Sequence, residues 1–187
     1  MVRVTLAVRK CTRILGVVDA APFLAEVARH LSDLHFDVVL IGNAAAALQG
    51  APVTTIDFDF MFRKTPVNLR KMKALARALD ATVLRPYYPV SDLFRVVRDE
   101  DGLQLDFMAT IHGVRSFAGL RARAAQIQLG DASLLVASLS DIIKSKKAAR
   151  RPQDLAVLDV LERTHEESTR AESEAGGPAA RKRSRAR

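Results

Sequence analysis

The sequence predicts a single α/β (α+β) domain, and three observations carry that expectation. At 187 residues, 49% hydrophobic and 27% charged, the chain is long enough for one well-buried core and too short for two ample domains. Stretches of helical apolar spacing alternate with short stretches of period-two alternation from residue 20 onward. From His165 the apolar periodicity stops, and acidic, Gly/Pro/Ala and basic segments follow. The expected organisation is a 1–19 N-terminal extension or edge strand, a 20–164 domain, and a 165–187 disordered tail ending in a basic run. Aromatics at 5% and no tryptophan point to a core of Ala, Leu and Val.

Asp19 reads as a helix cap with Pro22 in the first turn, followed by Phe23, Leu24, Val27, Leu31 and Leu34 at helical spacing. A strand is expected over Phe36 to Ile41, then a short helix from Asn43 that ends by Gly50. Pro52 opens the approach to the strand that holds Asp57 and Asp59. Thr65-Pro66 marks the start of a helix reaching about Asp80, whose Lys and Arg content suits a solvated or ligand-facing surface. Pro86-Tyr-Tyr-Pro89 is a loop. Leu93 to Arg98 and Leu103 to Ile111 form a hairpin about Asp99-Glu-Asp-Gly102, with a glycine suited to positive φ. A helix over Phe117 to Ala125, strands at Gln126–Leu129 and Leu134–Ala137, and a helix capped by Ser138 or Ser140 follow. Arg151-Pro152 breaks the chain before a last helix from Gln153 to about Arg163.

The net charge of +8 is concentrated at one end. Residues 181–187, Arg-Lys-Arg-Ser-Arg-Ala-Arg, contribute five of those charges and leave +3 over residues 1–180. Such a block reads first as a solvated tail and second as an electrostatic contact to RNA or DNA. No apolar run approaches the roughly 20 residues of a membrane helix. Arg3, Arg9, Lys10 and Arg13 interrupt any signal-peptide core, so a cytoplasmic location is expected. Cys11 is the single cysteine, which excludes an internal disulfide and a cysteine metal cluster. His30, His35, His112 and His165 assemble no metal or triad spacing.

The chemistry concentrates in residues 40–60. Alternation sends Ile56, Phe58, Phe60 and Phe62 to a core and projects Asp57 and Asp59 together on the other face. Adjacent carboxylates repel unless a cation lies between them, and a hard divalent ion such as magnesium, shared with substrate phosphates, suits oxygen donors. Gly42 permits close backbone approach at a helix start, where unpaired N–H groups favour a phosphate; its other role is simply to close a strand-to-helix turn. Asp106 is a charged residue in the otherwise apolar strand Leu103-Gln-Leu-Asp-Phe-Met, on the face of Gln104 and Met108. If that strand neighbours the Asp57/Asp59 strand with matching faces, three carboxylates converge.

These residues resemble the minimal nucleotidyltransferase fold of the polymerase-beta-like superfamily. Its pattern is Gly-Gly or Gly-Ser at a helix start, two acids one residue apart about a dozen residues later, and a third acid on a later strand. Gly42-Asn43, Asp57-Phe58-Asp59 and Asp106 occupy those places, with Asn43 standing where the family has Gly or Ser. The stretch Lys146-Lys-Ala-Ala-Arg-Arg-Pro-Gln-Asp154-Leu is similar to a late helix junction in small bacterial nucleotidyltransferases, including toxin enzymes of abortive-infection and toxin–antitoxin systems. The resemblance spans Phe36 to Leu161 and implies a mixed sheet flanked by helices.

It further implies transfer of a nucleoside monophosphate from a nucleoside triphosphate to a hydroxyl on RNA or protein, with an antitoxin as a further partner. Asp57 and Asp59 would hold magnesium against the triphosphate, and Asp106 would hold a second ion and help deprotonate the acceptor. Gly42 and Asn43 would face the phosphates; Lys146 would reach them, oriented by Asp154. The alternative reading of Lys146 and Asp154 is an ordinary ion pair on a solvated helix face. Arg63 is a weaker phosphate candidate, read first as a solvent-facing residue, and Tyr87 and Tyr88 are read as packing over the sheet edge in preference to stacking on a base. The competing function is a catalytically silent module of the same fold that binds a protein or nucleic acid.

Overall fold

The computed structural model describes residues 20–55 and 57–175. Expectations for residues 1–19, for the Asp19 cap, for Ile56 and for the basic run lie outside the described residues. The chain order is α1 (Ala20–Asp33), β1 (Val38–Ile41), α2 (Gly42–Ala47), β2 (Phe58–Phe62), α3 (Pro66–Ala78), β3 (Thr82–Leu84), β4 (Phe94–Arg98), β5 (Leu103–Met108), α4 (Phe117–Arg123), β6 (Ala125–Leu129), β7 (Ala132–Val136), α5 (Leu139–Ala149) and α6 (Pro152–Ala175). The strands form one seven-stranded sheet in the order β3-β4-β5-β2-β1-β7-β6.

The sheet is mixed because its central strands come from different chain segments. β2 runs antiparallel to β1 and parallel to β5, while β1 runs parallel to β7. Two hairpins, β4–β5 and β6–β7, close on either side. The phenylalanines of β2 face the core as alternation requires: Phe58, Phe60 and Phe62 are buried, and Phe60 stacks on Phe107 at 5.1 Å between ring centroids. Phe36 joins the stack at 5.7 Å from Phe107 and sets an edge against Phe62, which gives aromatic geometry beyond area burial. Met61 is buried as well, so β2 is covered on both faces, as expected of a central strand.

The helices start where the sequence signals them. Thr65 accepts a hydrogen bond from the Asn68 N–H, with proline in the first turn of α3, and Ser138 caps α5 by accepting from the Asp141 N–H. α1 packs against β6, β7 and α3, while α5 lies against α2 and α6. Arg98 ties the β4–β5 hairpin to α1, donating to Glu26, to Asp101 and to the Leu79 carbonyl.

Three local outcomes differ from expectation. β3 is a three-residue edge strand, too short to give an alternation signal. α6 continues past the expected start of the tail at 165 and ends at Ala175. Glu, Ala and Arg are good helix formers, so this solvated extension needs no apolar stripe of its own beyond the turn anchored by buried Leu161. Tyr87 and Tyr88 do not pack over the sheet edge: they are 56% and 62% exposed, with the Arg85 guanidinium 3.7 Å from the Tyr88 ring centroid. Among the described residues no helix is long and apolar enough to cross a membrane.

Candidate active site

The register of three strands builds the site. Asp59 on β2 is paired with Asp106 on β5, and Asp106 with Arg95 on β4, so the three side chains form one row across the sheet. Asp57 lies two residues before Asp59 and therefore on the same face. Asp57, Asp59 and Asp106 each offer a carboxylate oxygen, and these oxygens lie within 4.8 Å of one another. The expectation of three converging carboxylates is met in position.

Each carboxylate has a different surrounding. Thr55 donates its hydroxyl to Asp57 Oδ1 at 2.8 Å, and Gln104 Nε2 approaches Asp57 Oδ2 at 3.5 Å. Asp106 is buried and held by two parallel bonds: Arg95 Nε to Oδ1 and Arg95 Nη2 to Oδ2, both 2.7 Å. Among the described residues Asp59 has no such counter-ion in contact. Burial, then the neighbouring charges of Asp57 and Asp106, raise its pKa to about 7, with Arg151 and Lys146 offsetting part of the rise. A carboxyl of this kind between two others is a place that a hard cation with oxygen ligands satisfies, so the donor set fits magnesium chemically.

Gly42 is required by the same geometry. It follows β1 directly with φ of +70°, and a Cβ on it would lie 2.5 Å from Asp59 Oδ2. Its closing of the strand-to-helix turn and its packing on Asp59 are thus one function. Gly42→Ala is expected to cost about 1–2 kcal/mol from the left-handed backbone alone, and to displace the Asp59 carboxylate. Chemical denaturation and Mn2+ titration check the two effects; a variant with wild-type values in both would refute the contact.

Asn43 is half-buried: its Nδ2 makes a long, exposed bond to the Thr54 carbonyl at 3.4 Å, while its Oδ1 is buried with no hydrogen-bond partner among the described residues. Ile41, in the cap position before α2, supplies no side-chain hydrogen bond to the first turn.

The late junction brings cations to the acids. α5 ends at Arg150 in the left-handed conformation, φ +54°, and Pro152 starts α6, so the chain turns sharply between them. That turn aims Arg151 and Asp154 at Lys146. Lys146 Nζ donates to Asp154 Oδ1 at 3.0 Å, and Arg151 Nε to Asp154 Oδ2 at 2.6 Å. The solvated-face reading of this pair does not hold, because the Lys146 side chain is 11% exposed and that of Asp154 2%. Burial opposes the ionised form of Asp154, but Arg151 and Lys146 outweigh it and hold its pKa below the usual carboxylate value. Arg63 is exposed, as expected, with its guanidinium 5.9 Å from the Phe117 ring centroid.

Two cations escape the sequence reading. Arg151 is signalled there only as part of a chain break, although its spacing to Asp154 is the i,i+3 spacing of a helical ion pair. Arg95 is readable from the hairpin: with Asp99 to Gly102 as the loop, Arg98 pairs with Leu103, and counting outward sets Arg95 opposite Asp106.

No protein-family model and no curated protein matches the chain. Solved structures do match in fold. ANT(2'')-Ia in complex with adenylyl-2''-tobramycin aligns with a TM-score of 0.53 at 11% identity, covering 83% of this chain and 100% of that one. An antigenic nucleotidyltransferase-like protein from Paracoccidioides brasiliensis aligns with a TM-score of 0.50 at 14% identity, covering 76% and 75%. A Thermotoga maritima protein whose nucleotidyltransferase assignment is itself provisional gives 0.50 at 17% identity, covering 78% and 92%. The chain has a nucleotidyltransferase-like fold: a single domain with a mixed seven-stranded sheet and six helices. At these identities the likeness concerns the fold alone.

Proposed function

We propose that the chain is a metal-dependent nucleotidyltransferase that moves a nucleoside monophosphate from a nucleoside triphosphate to a hydroxyl on an RNA or protein. The observation that carries this reading is the cross-strand register that sets Asp59 beside Asp106, with Asp57 on the same face. Three close carboxylates in a partly buried site destabilise a sheet, so their gain lies in what they bind. Magnesium bound to Asp57, Asp59 and Asp106 would supply stabilisation of charge on the phosphate oxygens. The two-ion count is what the family resemblance implies.

The chain's own residues then have distinct tasks. The acceptor oxygen bonds to the α-phosphorus as the bond to the bridging oxygen breaks and pyrophosphate leaves. The hydroxyl proton passes to Asp106, whose oxygens each keep a lone pair beyond the one used by Arg95. Lys146, positioned by Asp154, faces the phosphates as a point charge; Arg151 adds a second. Gly42 and Asn43 offer the uncapped first turn of α2 to phosphate oxygens. A cytoplasmic enzyme of toxin type, restrained by an antitoxin, accords with the junction at residues 146–154.

The silent-module reading is favoured by one observation: where the family pattern has Gly or Ser, the Asn43 amide is bonded to the Thr54 carbonyl and its Oδ1 is buried. The test that separates the two uses the purified chain and Asp59→Ala with magnesium, each α-labelled nucleoside triphosphate, total RNA and cell extract. Label on a discrete RNA or protein band, lost in the folded variant, is expected. Label retained by Asp59→Ala sinks the site assignment; no label with any nucleotide favours the silent module.

A further inference from the structure

The acid row carries its own cation, and this changes how much metal it can take. We propose that Arg95 occupies the electrostatic place of a second divalent ion, so that the site binds one such ion, centred on Asp57 and Asp59. The inference rests on the transferase reading above, and it departs from the two-ion expectation.

Geometry supports it first. Arg95 stands directly opposite Asp106 in the β4–β5 ladder and meets both of its oxygens at 2.7 Å. This is the planar, two-point pairing that only a guanidinium makes. With Arg95 seated on it the Asp106 side chain is only 7% exposed, so the pair is largely shielded from water. Leaving a buried carboxylate without its partner is strongly unfavourable, which holds Arg95 in place.

Charge supports it next. Three ionised carboxylates repel one another, and an arginine that stays protonated at every working pH removes one of the three negative charges. One divalent ion then balances the remaining two. A second ion would bring an excess of positive charge beside a guanidinium. Lys146 and Arg151 add to that excess through their positive charge near Asp59. The pairing of these two with Asp154 leaves Arg95 as the counter-ion dedicated to the row.

Titration of the full chain with Mn2+, followed by the electron paramagnetic resonance of the free ion, tests the stoichiometry directly. The wild type is expected to bind one equivalent. Arg95→Gln is expected to bind two, with affinity for the second raised at least roughly tenfold, and Arg95→Lys to remain at one. Two equivalents of comparable affinity in the wild type overturn the inference, as does Arg95→Gln remaining at one. Should Arg95→Gln fail to fold, the wild-type and Arg95→Lys stoichiometries decide it, and two equivalents in either refute it. A folded wild type that binds no Mn2+ overturns both this inference and the metal-dependent transferase reading. One equivalent in Arg95→Gln beside normal nucleotidyl transfer removes the inference alone.

Discussion

Asp59→Asn is expected to unfold at a higher temperature than the wild type at pH 8 in the absence of divalent ions, with a smaller difference at pH 5. The folded pKa of Asp59 is raised to about 7, first by burial and then by Asp57 and Asp106, against an unfolded value of about 3.9. Between those values the native state holds a proton that the unfolded chain has released, so stability falls as pH rises through the window. Above pH 7 the whole penalty applies, with a ceiling of about 4 kcal/mol for a shift of this size. The amide that replaces the carboxyl in Asp59→Asn cannot ionise and escapes the penalty. A divalent ion should recover it for the wild type only, so Mg2+ or Mn2+ at pH 8 raises the wild-type Tm and leaves that of the variant unchanged. Thermal unfolding at both pH values, with and without metal, reads all four quantities. A difference between variant and wild type that is equal at pH 5 and pH 8 would show that Asp59 is not the strained carboxyl of the site. Under the proposed function the variant is also expected to lose nucleotidyl transfer, so that the stabilising substitution is an inactivating one.

Asp154→Ala has the opposite signature. Asp154 is 1% exposed and accepts from both Lys146 and Arg151, and Lys146 is itself largely enclosed. Removing the carboxylate strands the ammonium in the α5–α6 junction, at an expected cost of about 3–5 kcal/mol. Replacing both partners, as in Lys146→Met with Asp154→Leu, should cost distinctly less than Asp154→Ala alone, because no buried charge remains. Urea denaturation of the single and double variants tests this pattern. A double variant as unstable as the sum of its single changes would mean that the two side chains act independently. Because Arg151 is mostly exposed, Arg151→Ala is expected to lose well under half as much stability as Asp154→Ala.

Much of this site is written locally in the chain. Period-two alternation sets the phenylalanines of β2 inward and its aspartates to one face, and the Thr65 and Ser138 caps mark helix starts without reference to anything distant. The pairing of Asp59 with Asp106 needs more, because parallel neighbours joined by a long crossover leave no local trace of register. The sequence therefore supports Asp106 as a candidate and leaves its distance from Asp59 open. Arg95 is the instructive omission: the hairpin loop already determines its partner, but an arginine in a strand reads as ordinary surface unless the ladder is counted. The Gly42 contact is legible only in part. Positive φ can be expected from the strand-to-helix turn, whereas the Asp59 carboxylate that fills the space of a side chain is a tertiary fact. α6 outruns its expected end because its outer turns bury almost nothing, and hydrophobic period is blind to a helix that stands in water.

The position of the α5–α6 junction at the end of the domain bears on how the chain is made. Synthesis delivers β1, β2 and the β4–β5 hairpin before residues 146–154, so the acidic row emerges with Arg95 as its nearest fixed counter-charge. Until Lys146 and Arg151 are made, two of the positive charges that act on Asp59 in the folded domain are missing. The cations that offset part of the burial penalty on Asp59 are therefore made only after every strand that carries an acid of the row.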